Sequence, residues 1–326
     1  SDLFSGLVLN TTKPYQIDDW IAIDGTEGRV VDIDWRATRL QTSQGSMVVI
    51  PNSLASKAKI TNFSRPSDIY GLSISVQVSP HARPQKVIEA LERAMLGCRF
   101  LLGTPAPSVA LKSSGSSGAE YEISGFVASM GEKRVVRNQL FDLAYRHLQA
   151  SGVNLLSSDE STAPTNLSRP RALLDSSPIF STLRQEEKDT FSQNMTLHTY
   201  RAGAMILPAG EVSDHLFIIE SGVVSVMLAK AGHTFEGGRM GPGEVIGEAG
   251  ILSDQAVLAD FSAKTFCTLY RIDKAYLKPC LDARHDISEA IKSLLDYRLH
   301  TAQTLTQTVP QVVAKKGFMQ WLRHRG

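Results

Sequence analysis

A glycine-rich stretch, residues 242–263, holds the residues whose types and spacing could do chemistry. Its glycines stand close enough together for backbone N–H groups to gather around a small anion. Glu248 supplies an acid directly after Gly247, and a short helix that begins near Glu248 would point its positive end at the same place. The stretch predicts either a ligand pocket or a plain turn between two strands, and its residues alone leave both open.

Elsewhere the sequence lacks the spacing of an active site or a metal site. The acidic run 186–189 is predicted to lie on a solvated helix face, and Ser262 and His285 share no motif with a nucleophile. The glycines of residues 237–241 are not followed by the Gly-Lys-Ser/Thr of a P-loop, and no paired cysteines or histidines have metal-ligand spacing. We therefore expect no catalytic residue, no metal and no cofactor other than a regulatory ligand.

Composition sets the class of protein. At 326 residues, with 42% hydrophobic and 21% charged residues, the chain should fold into two or three ordinary globular domains. A net charge of +1 favours no nucleic-acid partner, and three widely spaced cysteines fit a reducing compartment. The apolar run 3–9 is too short to span a bilayer and lacks the basic start of a signal peptide; it could end a longer helix.

The chain divides into three folded regions, of which the last contains the glycine-rich stretch, and together they predict a mainly β protein with α+β parts. Short strands joined by glycine turns in residues 13–66 indicate a small closed β-barrel. Residues 67–156 follow the order β-α-β-β-α and indicate a small α+β sandwich. The polar residues 157–171 indicate a linker, and residues 172–308 indicate a β roll with flanking helices, the last of them at about 285–306. Residues 309–326 form a tail.

Several short motifs occur in a fixed order between residues 3 and 155. They are Phe4-Ser5-Gly6, residues 13–21, Glu27-Gly28-Arg29-Val30, Trp35-Arg36-Ala37-Thr38 and Ile50-Pro51-Asn52-Ser53. In this order and spacing they resemble the cytoplasmic part of the small-conductance mechanosensitive channel family, whose barrel is Sm-like and whose sandwich is ferredoxin-like.

This resemblance implies a channel subunit in the inner (plasma) membrane, with the present part facing the cytoplasm. Residues 1–12 would end a pore-lining helix whose upstream membrane-spanning part is absent, and family members form homo-oligomeric rings, usually heptamers. Phe4, Gly6 and Asn52 would be pore or vestibule residues, and Asn52 and Arg36 would lie between subunits or at the base of the pore. Alternatively, Asn52 is a turn former and Arg36 is a solvated surface charge.

Residues 172–308 resemble the cyclic-nucleotide-binding domain through their helices, the glycine-bounded β roll, the run Gly243-Glu244-Val245-Ile246-Gly247-Glu248 and the long closing helix. The resemblance implies that the backbone of Gly247, Glu248 and Ala249 faces a cyclic phosphate and that Glu248 binds the ribose 2′-OH. The implied ligand is cyclic AMP, cyclic GMP or a related nucleoside, and the closing helix would swing over its base.

Residues 256–260 depart from the family pattern. Where the family has Pro-Arg-Ser/Thr-Ala-Thr this chain has Ala-Val-Leu-Ala-Asp, so that Val257 replaces the phosphate-binding arginine, Leu258 its hydroxyl neighbour, and Asp260 adds a negative charge. Because hydrogen bonds to charged groups contribute about 1.5–3 kcal/mol each, we expect weak binding of ordinary cyclic mononucleotides. Val257, Leu258 and Asp260 complete the predicted ligand-binding set.

Three explanations stay open. The pocket could take a less charged ligand such as a nucleoside, for which Val257 and Leu258 offer apolar contacts. An arginine from elsewhere, Arg239 or Arg271, could replace the missing one. Alternatively the pocket is vestigial and the domain is an oligomerisation or docking element.

The sequence therefore predicts the cytoplasmic part of a mechanosensitive-type ion channel that a small ligand regulates. The alternative is a channel subunit whose last domain binds no nucleotide and serves assembly or docking. A transcription regulator is not expected, because the residues after position 307 are too few for a helix-turn-helix and the overall charge gives no basic surface. A soluble ring without a pore fits the abrupt start of the chain less well. A floppy linker would weaken the coupling between ligand and pore unless it packs down.

Overall fold

The computed structural model describes residues 11–153, 155 and 168–308, which fall into two compact units. Unit 1 spans Ser1–Ser157 and unit 2 spans Ser158–Gly326. Phe4 and Gly6, most of the predicted linker and the tail lie outside the described residues. Among the helices that the structure describes, none is long and apolar enough to cross a membrane.

Unit 1 begins with a five-stranded antiparallel sheet of the predicted short strands. The strands are Trp20–Ile23 (β1), Thr26–Ile33 (β2), Ala37–Gln41 (β3), Met47–Pro51 (β4) and Ile60–Asn62 (β5), in the order β4-β3-β2-β1-β5. Ile21, Val30 and Leu40 are fully buried and form its core. Gly28 lets β2 and β3 approach closely, because a Cβ atom there would lie 2.9 Å from the Leu40 Cβ.

Two details of this sheet differ from the prediction. A short helix, Asn52–Ala55 (α1), and β5 were not predicted, because four-residue and three-residue elements carry no usable periodicity. The predicted closure of the barrel is not completed by hydrogen bonds, since β4 and β5 remain the two edges of the sheet within the described residues.

Asn52 lies buried in the turn after β4, which corrects its prediction as a pore or vestibule residue. Its Nδ2 donates to the Asp34 carbonyl oxygen at 2.9 Å, and its Oδ1 accepts from the Thr38 hydroxyl at 3.1 Å. Its backbone N–H donates to the Arg36 carbonyl at 2.8 Å. A side chain with no exposed surface and these partners holds the turn together, as the alternative interpretation has it.

The second domain of unit 1 has the predicted β-α-β-β-α order. Every second residue of the first strand is buried, so one face of the sheet packs under both helices. The inner face of the second helix also carries His147, which is only 1% exposed. The elements are Tyr70–Val78 (β6), Pro84–Gly97 (α2), Ser108–Gly115 (β7), Gly118–Val127 (β8) and Met130–Ala150 (α3), with strand order β6-β8-β7.

Unit 2 begins with helices, and the first of them, Arg169–Ser176 (α4), corrects the end of the predicted linker. Arg171, predicted to be exposed, is only 3% exposed. Its guanidinium donates to the Gln185 carbonyl at 2.7 Å and forms an ion pair with Asp189. The charged, proline-containing segment at the end of the predicted linker therefore forms a helix, which a buried arginine anchors. A 3₁₀ turn, Pro178–Phe180, and Gln185–Gln193 (α5) follow.

The predicted β roll consists of two four-stranded antiparallel sheets, β10-β15-β12-β13 and β14-β11-β16-β9. The prediction missed His233–Met240 (β13), whose glycines and charges are unfavourable in strands. The other strands are Thr196–Tyr200 (β9), Met205–Leu207 (β10), His215–Ser221 (β11), Val224–Lys230 (β12), Val245–Ile246 (β14), Ala259–Ala263 (β15) and Cys267–Asp273 (β16).

Three helices complete unit 2. They are Glu248–Ser253 (α6), Lys274–Ala283 (α7) and His285–Thr308 (α8). The short helix predicted to begin near Glu248 and the predicted long closing helix are both confirmed.

Candidate functional site

The glycine-rich stretch turns tightly into α6 and is pressed against the loop before β11. Gly247 has a φ of 100°, and a Cβ atom there would lie 2.5 Å from the His215 carbonyl oxygen. A Cβ atom at Gly250 would overlap the backbone of Ser213. Both positions therefore need glycine, and the packing places Glu248 at the buried start of the helix.

Glu248 forms an ion pair with Arg298, which comes from the closing helix α8. The Arg298 Nη1 atom lies 2.6 Å from the Glu248 Oε1 atom and 2.7 Å from the Val245 carbonyl oxygen. The Glu248 side chain is 7% exposed and that of Arg298 is 23% exposed. The contact thus joins the glycine-rich stretch to α8 in a place that is largely shielded from water.

A cavity of about 370 Å³ lies between α8 and the β roll, next to this ion pair. Strands β12, β13 and β15, the turn 255–258 and one face of α8 form its walls. Most of its lining is apolar, including Val226, Leu228, Met240, Val257, Leu258, Ala259, Phe261, Leu295, Leu299, Ala302 and Leu305. Its volume is within the range of about 300–1,000 Å³ that is typical of small-molecule sites.

The structure brings four of the predicted ligand-binding residues together around the cavity. They are Glu248, Ala249, Val257 and Leu258. Gly247 does not line the cavity but shapes the turn. The prediction that Asp260 binds the ligand is corrected. Alternate residues of β15 point to opposite faces, and the Asp260 carboxylate accepts a hydrogen bond from the Ala209 backbone N–H at 2.7 Å.

Of the two arginines considered as replacements for the missing phosphate-binding arginine, one lines the cavity and the other does not. Arg271 donates its Nε–H to Asp273 at 2.7 Å and is not part of the cavity lining that the structure describes. Arg239 does line the cavity, but its guanidinium makes a bidentate contact with Glu236, at 2.9 and 2.8 Å. These hydrogen bonds are the main reason why the pKa of Glu236 is lowered to about 2. Arg239 is therefore already matched by a carboxylate.

Sequence reasoning missed Arg298 and Glu236. Arg298 lies on the stripe of α8 that includes Ile291 and Leu294, so a charge on a predicted inward face was the available signal. Glu236 and Arg239 are three residues apart, a spacing that in a regular strand would place them on opposite faces. A register shift in the pairing of β12 with β13, between Val226 and Met227, brings them to one face.

Helix α8 packs against two separate cores of unit 2. Ile287 and Ile291 are buried in the core that the helices share with β11 and β16. Farther along the helix, Ala302 and Leu305 pack against the core of the roll, beside the cavity. One rigid element therefore connects the cavity to the helical part of the unit.

Two family models match parts of the chain. Residues 1–65 match the family model of the mechanosensitive ion channel β-domain, and residues 197–284 match that of the cyclic nucleotide-binding domain. The chain joins a channel β-domain to a cyclic nucleotide-binding domain. The second domain contains the Glu248 cassette, and the cavity lies within its roll and under α8.

Relatives with the channel β-domain are similar over part of their length. The uncharacterised MscS family protein YhdY of Bacillus subtilis is 39% identical over 102 residues, which are 31% of this chain and 26% of that protein. The miniconductance mechanosensitive channel MscM of Escherichia coli is 24% identical over 155 residues, 48% of this chain and 14% of the relative. Helicobacter pylori MscS in its closed state aligns at 19% identity and a TM-score of 0.45, over 51% of this chain and 65% of that one.

Proposed function

We propose that this chain is the cytoplasmic part of a mechanosensitive-type ion channel in the plasma membrane, and that a small ligand in the cavity of unit 2 regulates the channel. The channel β-domain supports the first part of the proposal. The cyclic nucleotide-binding domain, with a cavity of about 370 Å³ beside Glu248, supports the second. In this proposal the subunits form a homo-oligomeric ring, a heptamer, that is anchored by membrane-spanning helices of the same protein.

The contact between Arg298 and Glu248 is the observation that carries the regulatory part. One partner belongs to the glycine-rich cassette and the other to α8, so a ligand that hydrogen-bonds either side chain competes with their 2.6 Å contact. A ligand can shift α8 only by the difference between its affinities for the two positions of the helix. A ligand that takes the place of one partner of this ion pair binds better when α8 has moved away, and competition for the pair therefore supplies such a difference.

Patch-clamp recording of the full channel tests the proposal. Arg298→Gln removes the charge that holds α8 to the cassette, and we expect it to change the membrane tension at which half of the channels open. Lys292→Gln is the matched control, because Lys292 is on the same helix, is 61% exposed and does not line the described cavity. The control should open at the wild-type tension.

An unchanged opening tension in Arg298→Gln would remove the regulatory role of this site. The alternative function, an assembly or docking module, would then be favoured, and it predicts that deleting unit 2 reduces the amount of assembled channel. Light scattering of the detergent-solubilised channel measures that amount. The regulatory proposal expects the ring to persist, because the channel β-domain is part of unit 1.

A further inference from the structure

The walls of the cavity present an apolar surface to a ligand from both sides. Leu228 and Phe261 contribute from the roll, and Leu299 and Leu305 contribute from α8. Val257, with 7% of its surface exposed, and Leu258 form the wall at the turn 255–258. A ligand that fills this space exchanges water for hydrocarbon over most of its surface, which favours an apolar body.

The charged side chains that line the cavity are matched within the protein. Arg239 donates two hydrogen bonds to Glu236, and Arg298 donates one to Glu248. Glu244, the remaining charged residue of the lining, accepts a hydrogen bond from the Gly241 backbone N–H at 2.7 Å. An anionic ligand would have to share each arginine here with the carboxylate that already holds it.

Such sharing is unfavourable in a site that is largely shielded from water, because it brings a second negative charge next to the carboxylate. A carboxylate that loses its partner in a shielded site retains the cost of desolvation without the compensating attraction. A neutral ligand with a hydroxyl or amide group can accept from Arg298 or donate to Glu248, and so compete for their hydrogen bond, but it brings no charge of its own that would need a partner. The geometry therefore selects against ligand charge.

We infer that the cavity of unit 2 binds an uncharged small molecule with an apolar body and a hydrogen-bonding group, and that it discriminates against anions, cyclic phosphates included. The inference rests on the proposed function in that it concerns the same regulatory site. It concerns only what binds, whereas the proposed function concerns what binding does to the channel.

Fluorescence titration of the full chain tests the inference with two aromatic probes that differ in charge. The probes are 1-aminoanthracene, which is neutral at pH 7, and 8-anilinonaphthalene-1-sulfonate, which is anionic. We expect the neutral probe to bind at least about tenfold more tightly, the equivalent of one hydrogen bond to a charged group. Ala302→Trp, which fills the cavity from α8, should abolish binding of the neutral probe and so locate it.

Two variants should reverse the discrimination. Leu258→Arg adds a cation at the cavity wall from a side chain that is 60% exposed, so the core is not disturbed. Glu236→Gln removes the carboxylate that matches Arg239. Each should raise the affinity for the anionic probe and for cyclic AMP by about tenfold or more. Leu197→Arg makes the same substitution at a position that is 55% exposed and outside the described cavity lining, and should change neither affinity.

Equal binding of both probes to the wild type, tight binding of cyclic AMP to it, or no binding of the neutral probe would each overturn the inference. The two proposals fail separately. If the neutral probe binds but leaves the opening tension of the channel unchanged, the ligand class stands and the regulatory role falls. If Arg298→Gln shifts the tension but the wild type prefers anions, the regulatory role stands and the ligand class falls.

Discussion

At the scale of single residues, the centre of unit 2 is a carboxylate matched by a cation 50 positions away in the sequence. Neither Glu248 nor Arg298 could be buried alone, because an ion without a partner in a shielded site costs several kcal/mol. Together they fix one position of α8 over the roll. Their pairing accordingly has a structural role that is separable from ligand binding.

Arg298→Met should lower the stability of unit 2 by about 3 kcal/mol, since Glu248 loses its partner while it stays 5% exposed. Calorimetric unfolding of the full chain measures the loss in the transition of unit 2. The double variant Glu248→Gln, Arg298→Met removes both charges and should recover most of it. A double variant as unstable as the single one would mean that packing of the arginine stem, rather than charge matching, matters here.

His147 predicts how unit 1 responds to pH. Burial, together with the positive charges of Arg93 and Arg146, lowers its pKa from the usual 6.5 to about 3. Above pH 6.5 the imidazole is neutral in both the folded and the unfolded chain. Between pH 6.5 and 3 mainly the unfolded chain takes up the proton, so stability falls as the pH is lowered.

His147→Leu should therefore remove a slope of up to about 1.4 kcal/mol per pH unit from the acid side of the stability profile. Urea unfolding at several pH values, followed by the fluorescence of Trp20, measures the slope, since Trp20 packs against the same core as α3. His81→Leu is the control because His81 is exposed. Parallel profiles for wild type and His147→Leu would assign the acid sensitivity to other groups.

Part of the candidate site could be predicted from sequence, because local rules govern it. Gly247 and Gly250, which have no room for a side chain, mark the cassette, and Glu248 lies between them. The Arg298 partner could not be predicted, since it depends on how α8 packs across the roll. The prediction for Asp260 was wrong because it also depends on the fold: only the alternation of β15 shows to which face its side chain points.

At the scale of elements, α8 is held at its start as firmly as over the cavity. Arg284, at the junction between α7 and α8, donates to Asp286 at 2.9 and 3.0 Å, to Glu187 at 2.6 Å and to the Thr182 carbonyl at 2.8 Å. These partners belong to α8, to α5 and to the loop before α5. The junction therefore ties the closing helix to the first helices of the unit.

Arg284→Ala should loosen the first turn of α8, because one side chain connects three separate segments there. Hydrogen–deuterium exchange is expected to become several-fold faster in residues 285–290 and to stay unchanged in β6 of unit 1. Lys292→Ala provides the comparison, because the Lys292 ammonium lies 3.8 Å from Glu289, a residue of the same helix. Wild-type exchange in Arg284→Ala would show that burial of Ile287 alone secures the helix start.

Elements with strong periodicity were predictable, and those defined by tertiary contacts were not. β6, α2 and the closing helix follow their alternating or helical patterns closely. β13 has no such pattern and becomes a strand because β12 pairs along it. α4 was hidden in a polar, proline-containing segment, and only the buried contacts of Arg171 explain why it is helical.

At the scale of the whole molecule, the sheet of the channel β-domain offers an unpaired edge. β4 pairs only with β3 in the described sheet, and Met47 and Val49 on it are 56% and 54% exposed. An apolar edge strand is a template for pairing with another chain. The proposed homo-oligomer would cover such an edge.

Val49→Lys should weaken assembly, since a charge on an edge strand opposes pairing with a second copy. Size-exclusion chromatography with light scattering of the full channel is expected to show a lower oligomer mass. Tyr276→Lys adds the same charge at a residue of α7 that is 52% exposed and should leave the mass unchanged. An unaltered mass for both variants would direct attention to other surfaces of unit 1.

In the proposed mechanism, the Arg298–Glu248 contact also determines the apparent affinity of a ligand that competes with it. Arg298 is tethered to the same chain, so its effective concentration at Glu248 is constant and does not change with expression or dilution. A ligand that competes with Arg298 for Glu248 therefore has an apparent affinity that is reduced by a constant factor. In the proposed mechanism, the strength of this one ion pair therefore sets the ligand concentration to which the channel responds, and substitutions along α8 can adjust it without altering the walls of the cavity.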